Sequence, residues 1–587
     1  MAEVLFKKVD YTLKKLIEDI DMGEIGLPDI QRPFVWSTTK VRDLFDSMYR
    51  GYPIGYLLFW ENGYPGEHRT IGERTKQKVP RLLIVDGQQR LTSLYAVIKR
   101  TSVIDKNFRH TLIRIAFHPL EEKFEVTNPA IEKDVTWIAD ISKVWDPSTS
   151  TYEFTNAYLQ SLGDKRQVTP DDERRVAQAI DRLQKLIDYP LTALEVSSSV
   201  DEDQVAMIFV RINSMGTPLN QADFILTLMS VFWDDGRKEL EDFCRRAKAP
   251  AADGRHSPYN HYLRPNPDQL LRVSVGLGFK RARLEHVYSL LRGKDLQTRQ
   301  FSVEQRKQQF EILQQTQGYT LDLQNWHEFF IVLKRAGYPG DQLISSQMAV
   351  LYTYTLWLIG KRDFSVDLHN LRDVMARWFF MVSLTGRYTG SPETRMEQDL
   401  ALFRGAETAS DFVSILDQQI DAILTHDYWK ITLPNELETA AARSTSQFAY
   451  YAALCLLSAP VLYSKMKVTD LLDPSTKAKK SALERHHLFP RDYLQRIGVK
   501  ENRLINQTAN YALVEWSDNI SISNQPPREY VPEMEKRFSS EKLAAMYEWH
   551  ALPEQWYEME YQTFLEERRK LIADVIRRGF CRLKGAD

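Results

Sequence analysis

The sequence predicts a predominantly helical α+β chain: a mixed α/β N-terminal part, a helical middle, and a short β-rich unit embedded in helices near the C-terminus. Three observations carry this. β-rich apolar runs alternate with helical stripes as far as Val196, helical spacing takes over after about Asp223, and β character returns only around His486.

The elements follow in order. Val41, Leu44, Phe45 and Met48 form a helical stripe that Gly51 stops. Arg81-Leu82-Leu83-Ile84-Val85 reads as a strand, Asp86-Gly87-Gln88-Gln89-Arg90 breaks it, and Leu91, Leu94, Val97 and Ile98 continue as a helix. Leu112 to Phe117 reads as another strand, with Phe124-Glu125-Val126 as its partner. Thr169-Pro170 starts a helix carrying Val176, Ile180, Leu183 and Ile187 inward, and Leu191 to Val196 returns to strand. Ala247 to Gly254 is the best linker candidate. In the helical middle, Trp357, Trp378, Phe379 and Phe380 read as core, because helical spacing alone explains them. Glu554 to Arg578 is expected to form a long helix, with Phe564, Leu565, Leu571, Ile572, Val575 and Ile576 facing a partner. These boundaries give three regions, 1–240, 255–457 and 458–587, with no fixed-period repeat.

Composition sets the outer limits. A chain of 587 residues with 43% hydrophobic residues can bury several cores. The net charge of −2 excludes a uniformly basic coat, so any nucleic-acid contact must come from local patches. One such patch runs through Lys465, Lys467, Lys477, Lys479, Lys480, Arg485 and Arg491. It would hold phosphates without reading sequence. Three cysteines, Cys244, Cys455 and Cys581, lack metal-ligand spacing and form no disulfide framework. No charged-then-apolar leader opens the chain and no apolar run reaches membrane-spanning length, so the cytoplasm is the expected location and no membrane is expected as a partner.

The chemistry concentrates in Glu484-Arg485-His486-His487-Leu488-Phe489-Pro490, followed by Asn510 and Asn519. Neutral imidazole deprotonates water near pH 7, and a second imidazole with an amide oxygen can hold a divalent cation against a phosphate. Tyr511 to Val514 reads as a second strand, and Ser517-Asp518 would cap a helix containing Asn519. This order resembles that of His-metal nucleases, and the resemblance implies that His486 and Asn519 bind the metal, His487 is the general base, and Asn510 bonds to the loop to fix His487. Nitrogen and oxygen ligands without thiolate suit Mg2+ or Mn2+. A His-His pair beside an apolar run is, taken alone, more often a packed or surface feature. It is the spacing to the two asparagines that points to hydrolysis of a phosphodiester.

With Pro490 in place, this region resembles the HNH (His-Me finger, ββα-metal) nuclease domain of GmrSD-type, modification-dependent (type IV) restriction endonucleases, though His486 stands where many HNH enzymes carry Asp. Upstream, the Asp86 to Arg90 break makes a strand–turn–helix junction whose positive helix end favours a phosphate. No P-loop pattern is present. Preceded by Asp29-Ile30-Gln31-Arg32-Pro33-Phe34-Val35-Trp36, the junction is similar to the ParB-like N-terminal domain of the same family. A third block agrees: Phe209-Val210-Arg211-Ile212-Asn213, then Gly216, Leu219 and Asp223. Each block also has a plain structural reading. Asp86-Gly87 makes an ordinary turn, and Phe209, Ile212 and Phe224 read as core.

The resemblance implies binding and hydrolysis of a nucleoside triphosphate (ATP, GTP or UTP) by Asp86, Gly87, Gln88, Gln89 and Arg90, with Gln31, Arg32, Arg211 and Asn213. It further implies cleavage of base-modified double-stranded phage DNA under nucleotide control, and modified-cytosine and phosphorothioate-linked branches of the family both fit. Dimerisation would place two nuclease sites on one duplex. The rival classes are a non-catalytic ParB-like DNA-binding regulator and a metal-dependent RNase toxin.

Overall fold

The protein is described by a computed structural model over residues 5–26, 36–61, 80–104, 110–148, 150–200, 208, 221–251, 256–294, 302–441, 443–474 and 483–585. It is 60% helical with a small mixed sheet, the predominantly helical α+β class expected from the sequence. Two compact units divide the chain, Met1–Lys238 and Glu239–Asp587.

In the first unit the strands are β1 (Phe6–Thr12), β2 (Ile25–Gly26), β3 (Leu57–Glu61), β4 (Leu82–Asp86), β5 (Val103–Ile104), β6 (His110–Thr111), β7 (Ile115–His118), β8 (Lys123–Val126) and β9 (Pro190–Val196). Five of them form one mixed sheet in the order β1-β9-β3-β4-β2. β4 lies inside this sheet and is covered on both faces, which is why it reads as an unbroken apolar run: Leu82 and Ile84 enter one core, Leu83 and Val85 the other. Each such side chain contributes roughly 1.5–3 kcal/mol on burial.

Helix α1 (Leu13–Asp21) follows β1 directly, and α2 (Thr38–Tyr49) buries Val41, Leu44, Phe45 and Met48. Ser37 caps α2 by accepting from the Lys40 amide, and Gly51 follows at φ 73°. α3 (Gln88–Ile98) continues from β4. The expected strand after Leu112 begins only at Ile115, and its pairing with Lys123–Val126 is antiparallel. α4 (Thr151–Gly163) precedes α5 (Pro170–Gln184), which starts with a Thr169/Asp172 capping box. Ile187 falls outside α5 because the chain tightens into a 3-10 turn over Lys185–Asp188.

Among the described residues, the regular elements of the second unit are helical except for one hairpin. α6 (Gln347–Arg362) packs on α7 (Leu368–Thr385), α7 on α8 (Thr445–Leu456), and α8 on the terminal helix introduced below. Trp357, Trp378, Phe379 and Phe380 are fully buried in this bundle. The hairpin pairs β10 (Leu483–His487) with β11 (Tyr511–Glu515), and α9 (Arg491–Arg496) lies in the connection. α10 (Trp516–Ile522) leaves β11 without a break.

α11 (Tyr561–Leu583) closes the chain. It starts later than the sequence suggests, because Trp556–Glu558 forms a separate 3-10 turn and the Glu560 carboxylate caps the helix at the Thr563 amide, 3.0 Å away. It also ends later. Phe564, Leu565, Ile572, Val575 and Ile576 are buried as expected, but Leu571 is 40% exposed on the outer face. A Cβ on Gly579 would lie 2.6 Å from that of Ala453, so the glycine permits the close approach of α11 to α8. Among the described residues, no helix is long and apolar enough to cross a membrane.

Candidate active site

The hairpin register sets His486 opposite Ala512 and His487 opposite Tyr511. Side chains alternate along a strand, so the two rings meet different neighbours. His486 is 3% exposed, lies edge-on to Tyr530 at 5.8 Å, and brings Nδ1 to 2.9 Å from Asn519 Oδ1 on α10. Its Nε2 is buried without a hydrogen-bond partner. Burial pushes its pKa down to about 4; the Asn519 bond opposes this and His487 adds to it. The ring is therefore neutral at pH 7 and able to ligate.

His487 is half-buried. Its Nε2 lies 3.0 Å from Asn506 Oδ1, which also accepts from the Tyr511 hydroxyl at 3.1 Å. An amide oxygen only accepts, so Nε2 carries the proton and Nδ1 keeps the lone pair. Burial depresses the His487 pKa, the Asn506 bond counters it, and the positive charges of Arg485 and Arg491 lower it further.

Asn510 is fully buried and works on the backbone. Its Oδ1 accepts from the Phe489 amide at 2.9 Å, and its Nδ2 donates to the carbonyls of Phe489 (3.1 Å) and Ile505 (2.9 Å). It thus closes the loop two residues beyond His487, while the imidazole itself is held by Asn506. Ser517 and Asp518 do not cap α10: β11 extends to Glu515, which takes the cap position without a side-chain cap bond. Asp518 instead points inward to Arg537 at 2.8 Å.

A further residue fixes this frame from α11. Arg568 is completely buried, donating to the carbonyls of Ala509, Tyr511 (2.9 Å) and His550 (3.1 Å). It grips the chain on both sides of Asn510. Its position one turn from Phe564 and one from Ile572 was the available sequence signal. Asn506 offered none, since loop asparagines are common.

Could this site hold the expected cation? Adjacent corners of an octahedron with bonds of roughly 2.1 Å lie about 3 Å apart, close to the 2.9 Å between His486 Nδ1 and Asn519 Oδ1. In this hydrogen bond Nδ1 carries the proton, so the pair would fit two cis positions only once that proton had moved to Nε2. No cluster of three or more His, Cys, Asp or Glu forms among the described residues, so the other positions would fall to water and phosphate oxygens.

Of the expected DNA-contacting cations, Arg485 stacks 5.1 Å over Tyr511 and donates to Gln447 at 3.2 Å, while Arg491 is exposed beside Asn502. Lys465 and Lys467 are exposed. Lys477, Lys479 and Lys480 lie outside the described residues, as do Gln31, Arg32, Arg211 and Asn213.

The remaining upstream residues form a compact junction. Gly87, at φ 91°, is the N-cap of α3, and a Cβ there would collide with Leu57. Arg90 donates to the carbonyls of Ile54 (2.6 Å) and Tyr56 (2.7 Å), with Asp86 at 3.4 Å. Gln89 is buried and accepts from the Trp36 amide, whereas Gln88 and Asp86 are partly exposed. The β3–β4 register shifts between Leu58, which faces Asp86, and Phe59.

Residues 13–230 match the family described as "GmrSD restriction endonuclease, N-terminal domain". This supports a relationship to GmrSD-type restriction endonucleases. An uncharacterized protein of Methanocaldococcus jannaschii is 22% identical over 96% of this chain and 98% of its own length.

Proposed function

We propose that the chain is a nucleotide-regulated type IV restriction endonuclease that hydrolyses phosphodiester bonds in modified foreign DNA at the hairpin. The observation that carries this reading is the meeting of His486 Nδ1 and Asn519 Oδ1 at 2.9 Å, with His487 next along the same strand. The N-terminal family match supports it independently.

His487 takes a proton from water at Nδ1 while Asn506 retains the Nε2 proton; the water oxygen bonds to phosphorus and the ester oxygen leaves. A depressed pKa keeps this base neutral at pH 7. His486 and Asn519 would hold Mg2+ or Mn2+, which when bound stabilises the phosphate charge and the leaving oxygen. Asn510 and Arg568 keep the loop and β11 in place.

The Asp86 junction is the proposed nucleoside triphosphate site, with the amides at the start of α3 facing the phosphates and Asp86 polarising water or a cation. Nucleotide would control cleavage through different affinities for two arrangements of the protein, and a homodimer would present two hairpins to one duplex.

Incubating the purified chain with modified DNA, unmodified DNA and RNA, with Mg2+ or Mn2+ and with or without ATP, GTP or UTP, tests this. Cleavage of modified DNA is the expected result. Cleavage of RNA alone, or DNA binding without cleavage under any condition, would overturn it.

A further inference from the structure

The hairpin register gathers Arg485, His487, Tyr511 and Leu513 on one face, because Arg485 stands opposite Leu513, His487 opposite Tyr511, and side chains alternate along each strand. On that face the rings of His487 and Tyr511 lie 4.4 Å apart, and the Arg485 guanidinium lies 5.1 Å from the centre of the Tyr511 ring. Asn506 closes the group from the loop before β11. Its Oδ1 lies 3.0 Å from His487 Nε2 and 3.1 Å from the Tyr511 hydroxyl.

Two arrangements satisfy these contacts. With Oδ1 inward, His487 Nε2–H and the Tyr511 hydroxyl both donate to it. With the amide turned over, Nδ2 donates to both, since a hydroxyl and an imidazole nitrogen accept as well as donate. The second arrangement puts the His487 proton on Nδ1 and removes the lone pair that takes a proton from water. No further hydrogen bond decides between them: among the described residues, the Asn506 side chain bonds only to these two groups and the Tyr511 hydroxyl only to Asn506.

Arg485 breaks the symmetry. A cation over the π-face draws electron density from the ring, which makes the phenol a better donor and a poorer acceptor. The same charge opposes the burial that raises the Tyr511 pKa. The hydroxyl therefore favours Oδ1 over Nδ2, and Oδ1 in turn favours a proton on Nε2. Arg485 is itself set by a contact that runs one way. A guanidinium only donates, so it turns Gln447 Oε1 toward itself at 3.2 Å, and Gln447 Nε2 then donates to the Tyr451 hydroxyl at 3.0 Å, both residues being buried on α8.

We infer that Tyr511, with Arg485 stacked on it, is a positioning residue that fixes which nitrogen of His487 carries the proton, acting through the orientation of the Asn506 amide. The inference rests on the reading of His487 as the general base and adds the residues that keep it in the competent tautomer.

The test reads the tautomer directly. In the full chain labelled with 15N-histidine, without DNA, the shifts of the two His487 nitrogens report which one is protonated, and His487→Ala identifies its signals among those of the 12 histidines. Expected at pH 7 is a single Nε2–H form in the wild type, a mixture of tautomers in Tyr511→Phe and in Arg485→Met, and a return to Nε2–H in Tyr511→Phe/Asn506→Asp, because a carboxylate has no donor to offer. On DNA, Tyr511→Phe should lower kcat by about tenfold or more and leave KM within about twofold. Adding Asn506→Asp should recover most of that loss and move the acid limb of the profile upward, as a carboxylate beside an imidazole raises its pKa. An Nε2–H form that persists in Tyr511→Phe, or a loss of kcat that Asn506→Asp does not recover, overturns the inference and leaves the nuclease reading standing. A wild-type chain that cuts no DNA overturns the nuclease reading, while the tautomer found in Tyr511→Phe still decides the positioning.

Discussion

At the end of β4, Arg90 turns its guanidinium back onto the carbonyls of Ile54 and Tyr56; at the end of β10, His486 and His487 turn their rings to the side-chain amides of Asn519 and Asn506. Both regions place polar side chains where a strand gives way to a tighter element. The partners differ. A cation on two backbone carbonyls fixes a loop and leaves fewer donors for a ligand. An imidazole on an amide oxygen is set in one tautomer and keeps a lone pair on its other nitrogen. The comparison separates Gly87 and Arg90, which fix backbone, from His486, His487 and Asn519, to which the proposed chemistry is assigned. Asp86 is partly exposed beside the register shift between β3 and β4.

The strongest way to break this contrast is at the base. His487→Ala is expected to lower kcat on DNA by roughly 10²–10⁴-fold with the fold retained by circular dichroism; an unchanged rate would remove the hairpin from the chemistry. Next is Arg568→Met, which leaves the carbonyls of Ala509, Tyr511 and His550 without their buried donor. Denaturant unfolding should show a loss of roughly 3 kcal/mol, and a loss below about 1 kcal/mol would mean that the hairpin does not depend on α11. Gly87→Ala should cost about 1–2 kcal/mol or more through its left-handed backbone and the Leu57 clash. Asp86→Ala, by contrast, should leave the melting temperature within a few degrees while nucleotide turnover disappears; turnover that survives would move the nucleotide elsewhere.

The remaining tests vary pH. His487 titrates below the ordinary histidine value of about 6.5, so the acid limb of the kcat profile should lie below that pH, and a limb above 7 would contradict its depressed pKa. For His486 the unfolded chain takes up its proton first. Stability measured without divalent cation should therefore fall as pH drops from about 6.5 toward about 4.

Much of this was legible because it depends on local pattern. The unbroken apolar run of β4 announced a strand, and the spacing of His486, Asn510 and Asn519 announced a hairpin leading into a helix. What escaped depends on tertiary contact. Asn506 becomes a partner of His487 only because the loop folds back past Tyr511. Arg568 looks like a solvated charge until its place on the stripe from Phe564 to Ile572 is noticed. The late start of α11 follows from a local competition, the 3-10 turn at Trp556 and the Glu560 cap, that apolar periodicity does not register.

The most direct measurement is cleavage of a labelled modified duplex by His487→Ala with and without added imidazole, in saturating Mn2+. An external base should restore a measurable part of the lost rate if the missing ring took the proton from water. A variant that cuts at the wild-type rate without imidazole would contradict the assignment.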